Sequence, residues 1–143
     1  MRMMSFALTE RQLMDGSKTV TRRTGWEHLT AGARLLAVRK AMGLKRGEKA
    51  VALCEIEVVS VRREPLCDIT SDDVTAEGFP QWTKDPAEFV ALFCKDQRVP
   101  AQAKVHGMET RMRAMRPNDL VTRIEFRKVP GSERAGTQTG LAL

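Results

Sequence analysis

Six consecutive residues, Lys18-Thr19-Val20-Thr21-Arg22-Arg23, carry one primary amine, two hydroxyls and two guanidiniums directly after Gly16-Ser17. Two kinds of chemistry follow from those types. Arginine forks and a lysine bind anionic groups. A threonine hydroxyl becomes a nucleophile when a neighbouring base takes its proton. A lysine crowded by like charges is biased toward the neutral form that such a base needs. Each residue also has an ordinary reading: Thr21 as a β-former, Lys18 as a solvated surface charge, the arginines as phosphate contacts without chemistry.

The run follows a short amphipathic segment and opens a strand, so it stands at a helix-to-strand corner. Thr9 is a good N-cap for a helix over Glu10–Met14, and Gly16 is a natural stop. Thr19–Arg23 reads as a strand. In a regular strand residues 18 and 21 point to opposite faces. Joint action of Lys18 and Thr21 therefore requires Lys18 to precede the regular strand geometry.

The remaining pattern supplies a frame. Arg34–Lys40 reads as a second strand and Ala50–Arg63 as the longest one. The apolar phase of the latter slips between Leu53 and Ile56, which predicts a bulge; long bent strands suit a small closed barrel. Thr70 caps a helix over Ser71–Glu77, ended by Gly78. Asp85-Pro86 starts another, with cap and N1 proline in favoured places. Cys54 and Cys94 fall in apolar patterns and are expected in the core. Met108, Met112 and Met115 fall at helical spacing, as core methionines do. Leu120–Lys128 is a last strand. From Pro130 the chain is polar with little to bury, so a domain over 1–129 and a disordered tail over 130–143 are expected.

Composition narrows the class. A chain of 143 residues is one domain with room for a core. It has no apolar run of membrane-spanning length and no signal-peptide pattern at its start. Three cysteines without a Cys-x-x-Cys pair read as free thiols, which points to the cytoplasm. Two isolated histidines give no metal spacing, and no cofactor is implied. The net charge of +6 is uneven. Residues 18–49 hold nine Lys/Arg against two Asp/Glu, residues 50–97 four against ten, and residues 98–129 eight against three. A basic face that attracts an anionic ligand is the expected result.

The run Gly16-x-Lys18-Thr19-x-Thr21-x-Arg23 resembles the ASCH domain family, of the PUA-like superfamily. Leu29-Thr30-Ala31-Gly32 before a strand, Ile69-Thr70 followed by Ala76-Glu77-Gly78-Phe79, a helix with Glu88, Phe89 and Phe93, and a last strand over Val121–Phe126 follow in family order across residues 5–129. The resemblance implies an α+β fold: a small PUA-like β-barrel with short flanking helices. It is similar to ASCH proteins of the N4-acetylcytidine amidohydrolase type. Carried over by motif position, Lys18 is base, Thr21 nucleophile and Glu77 proton donor, with Arg23 orienting the base or stabilising the oxyanion. Arg22, Thr19 and Trp26 join the substrate contacts.

Physical chemistry is compatible with those roles. Glu77 is expected at a helix C-terminus, where the helix dipole disfavours negative charge, as a general acid requires. An ionised Glu77 could equally pair with Lys18 as a structural salt bridge. Trp26 and Trp82 flank the two motif elements in a chain without tyrosine. Either could stack on a base, worth about 1–3 kcal/mol, or plug an end of the barrel. The function implied is an amidohydrolase of N4-acylated cytosine nucleosides. The alternatives are a non-catalytic module binding RNA or a nucleotide, and a metal-independent ribonuclease. Ala33 stands where the family has an acidic residue after the turn glycine, and the 96–118 segment is extra, which leaves substrate identity and oligomeric state open.

Overall fold

The computed structural model describes residues 1–79, 85–102 and 111–134. Trp82, His106 and Met108 lie outside them, as does the tail beyond Arg134. The elements run β1 (Met3–Ser5), α1 (Glu10–Asp15), β2 (Val20–Arg23), β3 (Arg34–Val38), β4 (Ala52–Pro65), α2 (Ser71–Ala76), α3 (Pro86–Asp96), β5 (Arg98–Pro100), β6 (Met112–Ala114) and β7 (Leu120–Lys128). The fold class is α+β, as the sequence reading expects.

Five strands form one sheet in the order β1-β3-β4-β7-β2, and β5 pairs with β6 in a separate ribbon. Among the described residues only the β1–β3 pairing is parallel. The 14-residue β4 pairs with both β3 and β7, and its register shifts twice. Ala37 pairs with Cys54 but Val38 with Ala52, leaving Leu53 as the extra residue. Val59 is the extra residue against β7. Leu53 and Cys54 are consequently both buried, which is the phase slip seen in the sequence.

Closure into a barrel is not seen among the described residues. β1 and β2 remain the edges, three and four residues long, and a side chain rather than a backbone ladder joins them: the Arg23 guanidinium donates to the Ser5 carbonyl. The seam between these edges is where the cleft described below opens.

Apolar residues gather in two clusters. One holds Met4, Phe6, Leu13, Leu35, Ile56, Ile124 and Phe126 around the sheet. The other holds Leu66, Ile69, Val74, Phe89, Val90 and Val121 under α2 and α3. The caps of those helices form as read: Thr70 accepts from the Asp73 amide and Asp85 from the Ala87 amide, with Pro86 opening α3. Thr9 departs from expectation, making no side-chain cap bond at α1. So do the methionines: Met112 lies exposed on strand β6, and only Met115 of the described pair is buried. Cys54 is buried, Cys94 half-buried and Cys67 exposed. Residues 130–134, read as the start of a disordered tail, run beside β4, where the Arg134 amide donates to the Leu53 carbonyl.

Candidate active site

The corner before β2 is fixed from both sides. Gly16 ends α1 in the left-handed region at φ 84°. The Lys18 amide donates to the Gln12 carbonyl of α1 at 3.0 Å, and the Thr19 amide to the Ala76 carbonyl of α2 at 2.9 Å. Gly78 closes the far side. At φ +98° it is strained for any other residue, and a Cβ there would lie 3.1 Å from the Gln12 Cβ and 3.4 Å from the Lys18 Cβ. Gln12 Nε2 donates to the Gly78 carbonyl at 3.0 Å. The two helix ends thus press on the lysine.

Lys18 therefore precedes the regular strand, and its side chain turns inward, only 4 % exposed. Its Nζ donates to the Glu77 carbonyl oxygen at 2.6 Å and to Glu77 Oε1 at 3.3 Å. Burial pulls the ammonium below the ordinary lysine range; Glu77 opposes that, and Arg23 and Arg22 add to it. Glu77 is the C-cap of α2 and equally buried. Its second oxygen accepts from Arg22 Nη1 at 3.1 Å.

Thr21 is buried on β2, and its Oγ1 accepts from Arg23 Nε at 3.3 Å, which leaves the hydroxyl proton available to a second group. The Arg23 guanidinium also lies 5.2 Å from the centre of the Phe6 ring. Burial lowers its pKa, against the pull of Glu77.

A cleft of about 590 Å³ joins these groups, a size usual for small-molecule sites. Its lining combines the polar Lys18, Thr21, Arg22, Arg23 and Glu77 with the apolar Phe79, Phe89, Leu92 and Phe93. Phe6 comes from the first apolar cluster and Phe89 from the second, so the cleft has lining from both. Trp26 also lines it, held at φ 67° with the Arg2 guanidinium 4.0 Å over its ring. Thr19 is exposed and does not line the cleft. Arg22 lines it, but its side chain is fully buried and spent on carboxylates: Glu77, Glu64 at 3.2 Å and Asp73 at 2.5 Å.

Sequence reasoning missed Asp73, Glu64 and Arg123, which surround Arg22, and the apolar wall from α3. Asp73 stands four residues before Glu77, one helical turn away, and that spacing was the signal available for it. Among the described residues no group of three or more His, Cys, Asp or Glu side chains is arranged to hold a metal ion.

Neither a family model nor a curated protein matches the chain. Solved structures do. A protein of Enterococcus faecalis, described as family-model DUF984, superposes with a TM-score of 0.52 at 17% identity, over 89% of this chain and 72% of its own. The ASCH domain of a Lactobacillus crispatus protein superposes with a TM-score of 0.52 at 14% identity, over 89% and 78%. The chain has an ASCH-like fold.

Proposed function

We propose that the protein is a small amidohydrolase that cleaves the exocyclic amide of N4-acylated cytosine nucleosides. The observation that supports this most is a buried lysine, biased toward its neutral form, in contact with a buried carboxylate beside a cleft that Thr21 also lines.

Moving one proton from Lys18 Nζ to Glu77 Oε1, across their 3.3 Å contact, turns the ion pair into a neutral base and a neutral acid. Thr21 Oγ then attacks the acyl carbon while its proton passes to Lys18. The carbonyl electron pair moves onto oxygen, where Arg23 stabilises it. Collapse restores the carbonyl and breaks the bond to N4, which takes a proton from Glu77 and leaves as the cytosine amine. Water attacks the resulting Thr21 ester and gives its proton to Glu77. Thr21 leaves with the proton held by Lys18, and the carboxylic acid departs with both residues reset.

The test is incubation with N4-acetylcytidine and chromatography for cytidine, with Lys18→Ala as control. Cytidine formed by the wild type alone supports the reading, and its absence overturns it. One observation favours a second reading, RNA binding without chemistry. Lys45, Arg46 and Lys49 are exposed on the loop between β3 and β4. That reading predicts RNA affinity that falls steeply with salt, with no cytidine released.

A further inference from the structure

Arg22, Arg123 and Arg62 stand side by side across three strands. Arg22 pairs in register with Arg123 on β7, and Arg123 with Arg62 on β4. Like charges directly opposite one another destabilise a sheet, so something must separate them. Asp73 of α2 does so: its Oδ2 accepts from Arg22 Nη2 at 2.5 Å and from Arg123 Nε at 2.7 Å, and its Oδ1 from Arg123 Nη2 at 3.1 Å. Glu64 Oε1 accepts from Arg22 Nη2 at 3.2 Å and Arg62 Nε at 3.4 Å, and lies 4.0 Å from Arg123 Nε.

One guanidinium therefore grips α2 at two points a helical turn apart, Asp73 and Glu77. The Glu77 amide itself donates to the Asp73 carbonyl at 2.8 Å. With Oε2 taken by Arg22, Glu77 presents Oε1 to Lys18. We propose that Arg22 is a positioning residue: it contacts no substrate, and acts by locking Glu77 against Lys18 while Asp73 anchors it from behind. In the catalytic setting this rests on the amidohydrolase reading; the lock itself does not. The charged groups facing Lys18 are Glu77, Arg22 and Arg23, and those facing Arg22 are Asp73, Glu64 and Glu77.

The experiment compares wild type, Arg22→Gln, Arg22→Lys and Asp73→Asn in two measurements. The first is hydrolysis of N4-acetylcytidine. A misplaced acid predicts a loss of kcat of about 10- to 100-fold with KM moved less than threefold, and partial rescue in Arg22→Lys. The second needs no activity: NMR titration of the Lys18 side chain. If Arg22 holds Glu77 against Lys18, Arg22→Gln frees the carboxylate, and the upward pull it loses outweighs the smaller repulsion from Arg22, so the Lys18 pKa falls; Arg22→Lys stays nearer to wild type. Asp73→Asn, which keeps Arg22, serves if Arg22→Gln does not fold; it predicts the same loss in kcat and the same downward direction for Lys18. A raised KM at unchanged kcat would make Arg22 a substrate contact and overturn the proposal, as would a Lys18 pKa that rises or stays put in these variants, which would mean that Arg22 acts on Lys18 by charge alone or not at all. A wild type that releases no cytidine, but whose Lys18 pKa falls in Arg22→Gln, refutes the hydrolase reading and supports the lock.

Discussion

Lys18 meets Glu77 twice, through the backbone carbonyl at 2.6 Å and through the carboxylate at 3.3 Å. The shorter bond goes to an acceptor that cannot swing away. The amine is thereby held by the α2 terminus while the carboxylate contact remains able to exchange a proton. An arrangement serving stability alone has little need of this, since a buried ion pair seldom stabilises more than well-packed apolar residues.

Thr21 carries the nucleophile assignment, and isosteric replacement tests it. Thr21→Val keeps the shape and β-propensity of the side chain but removes the hydroxyl, so turnover of N4-acetylcytidine should fall by at least about 100-fold while the fold persists. Thr21→Ser should retain measurable turnover. Full activity in Thr21→Val, followed by chromatography, would remove Thr21 from the mechanism.

Two glycines separate backbone strain from close packing. Gly16 at φ +84° has open space within 4 Å of where a Cβ would sit, whereas a Cβ on Gly78 at φ +98° would press on Gln12 and Lys18. Gly16→Ala should cost about 1–2 kcal/mol from the left-handed backbone alone. Gly78→Ala should cost more than Gly16→Ala and should also lower turnover, because the displaced atoms belong to the lysine corner. Urea denaturation reads the first difference, and equal costs at the two sites would contradict the packing argument.

Asp73 should give the fold an acid limb. Hydrogen bonds from Arg123, then Arg22, hold its carboxyl down to about 2 against an ordinary 3.8. A carboxyl depressed in the folded state contributes stability above its unfolded value, and loses it as pH falls through the folded one. Melting temperatures taken between pH 5 and pH 2 should therefore drop more steeply for wild type than for Asp73→Asn, which should already be less stable at pH 7 by about 1–3 kcal/mol. Parallel curves would mean that Asp73 is not the titrating clamp.

The corner was readable because its signals are local. Gly16 stops a helix, the hydroxyl and cationic residues follow at once, and Thr70 and Gly78 bracket the helix that ends in Glu77. The β4 bulge was readable because burying both Leu53 and Cys54 breaks a period of two. What stayed hidden is tertiary. Arg22 looks like an anion contact beside Arg23, and only the register of β2 on β7 and the docking of α2 bring Asp73, Glu64 and Arg123 around it. Met112 and Met115 fit a helical period by spacing, yet 112–114 pairs as a strand with 98–100. The barrel expected from the length of β4 overlooked how short its intended edges are; β1 and β2 leave a seam, and the cleft occupies it.

The pH dependence of turnover decides between a base and a structural ion pair at Lys18. The proposed steps need the Lys18–Glu77 pair to hold one proton: with it the pair supplies both a neutral base and a neutral acid, and without it Glu77 has nothing to give the leaving amine. Burial and the flanking guanidiniums lower the Lys18 pKa from its ordinary 10.5. The rate should therefore fall as pH rises through the Lys18 titration, with the midpoint of the fall below pH 10.5. Stability should rise over the same interval, because between the folded and unfolded values the unfolded chain binds the extra proton. Lys18→Ala should reduce the rate by about 10²- to 10⁴-fold, the usual worth of a positioned base, and should abolish the falling limb in whatever activity remains. A wild-type profile flat up to pH 10.5, or a Lys18→Ala variant that keeps the limb, would assign the proton transfer elsewhere and leave Lys18 and Glu77 as a buried ion pair.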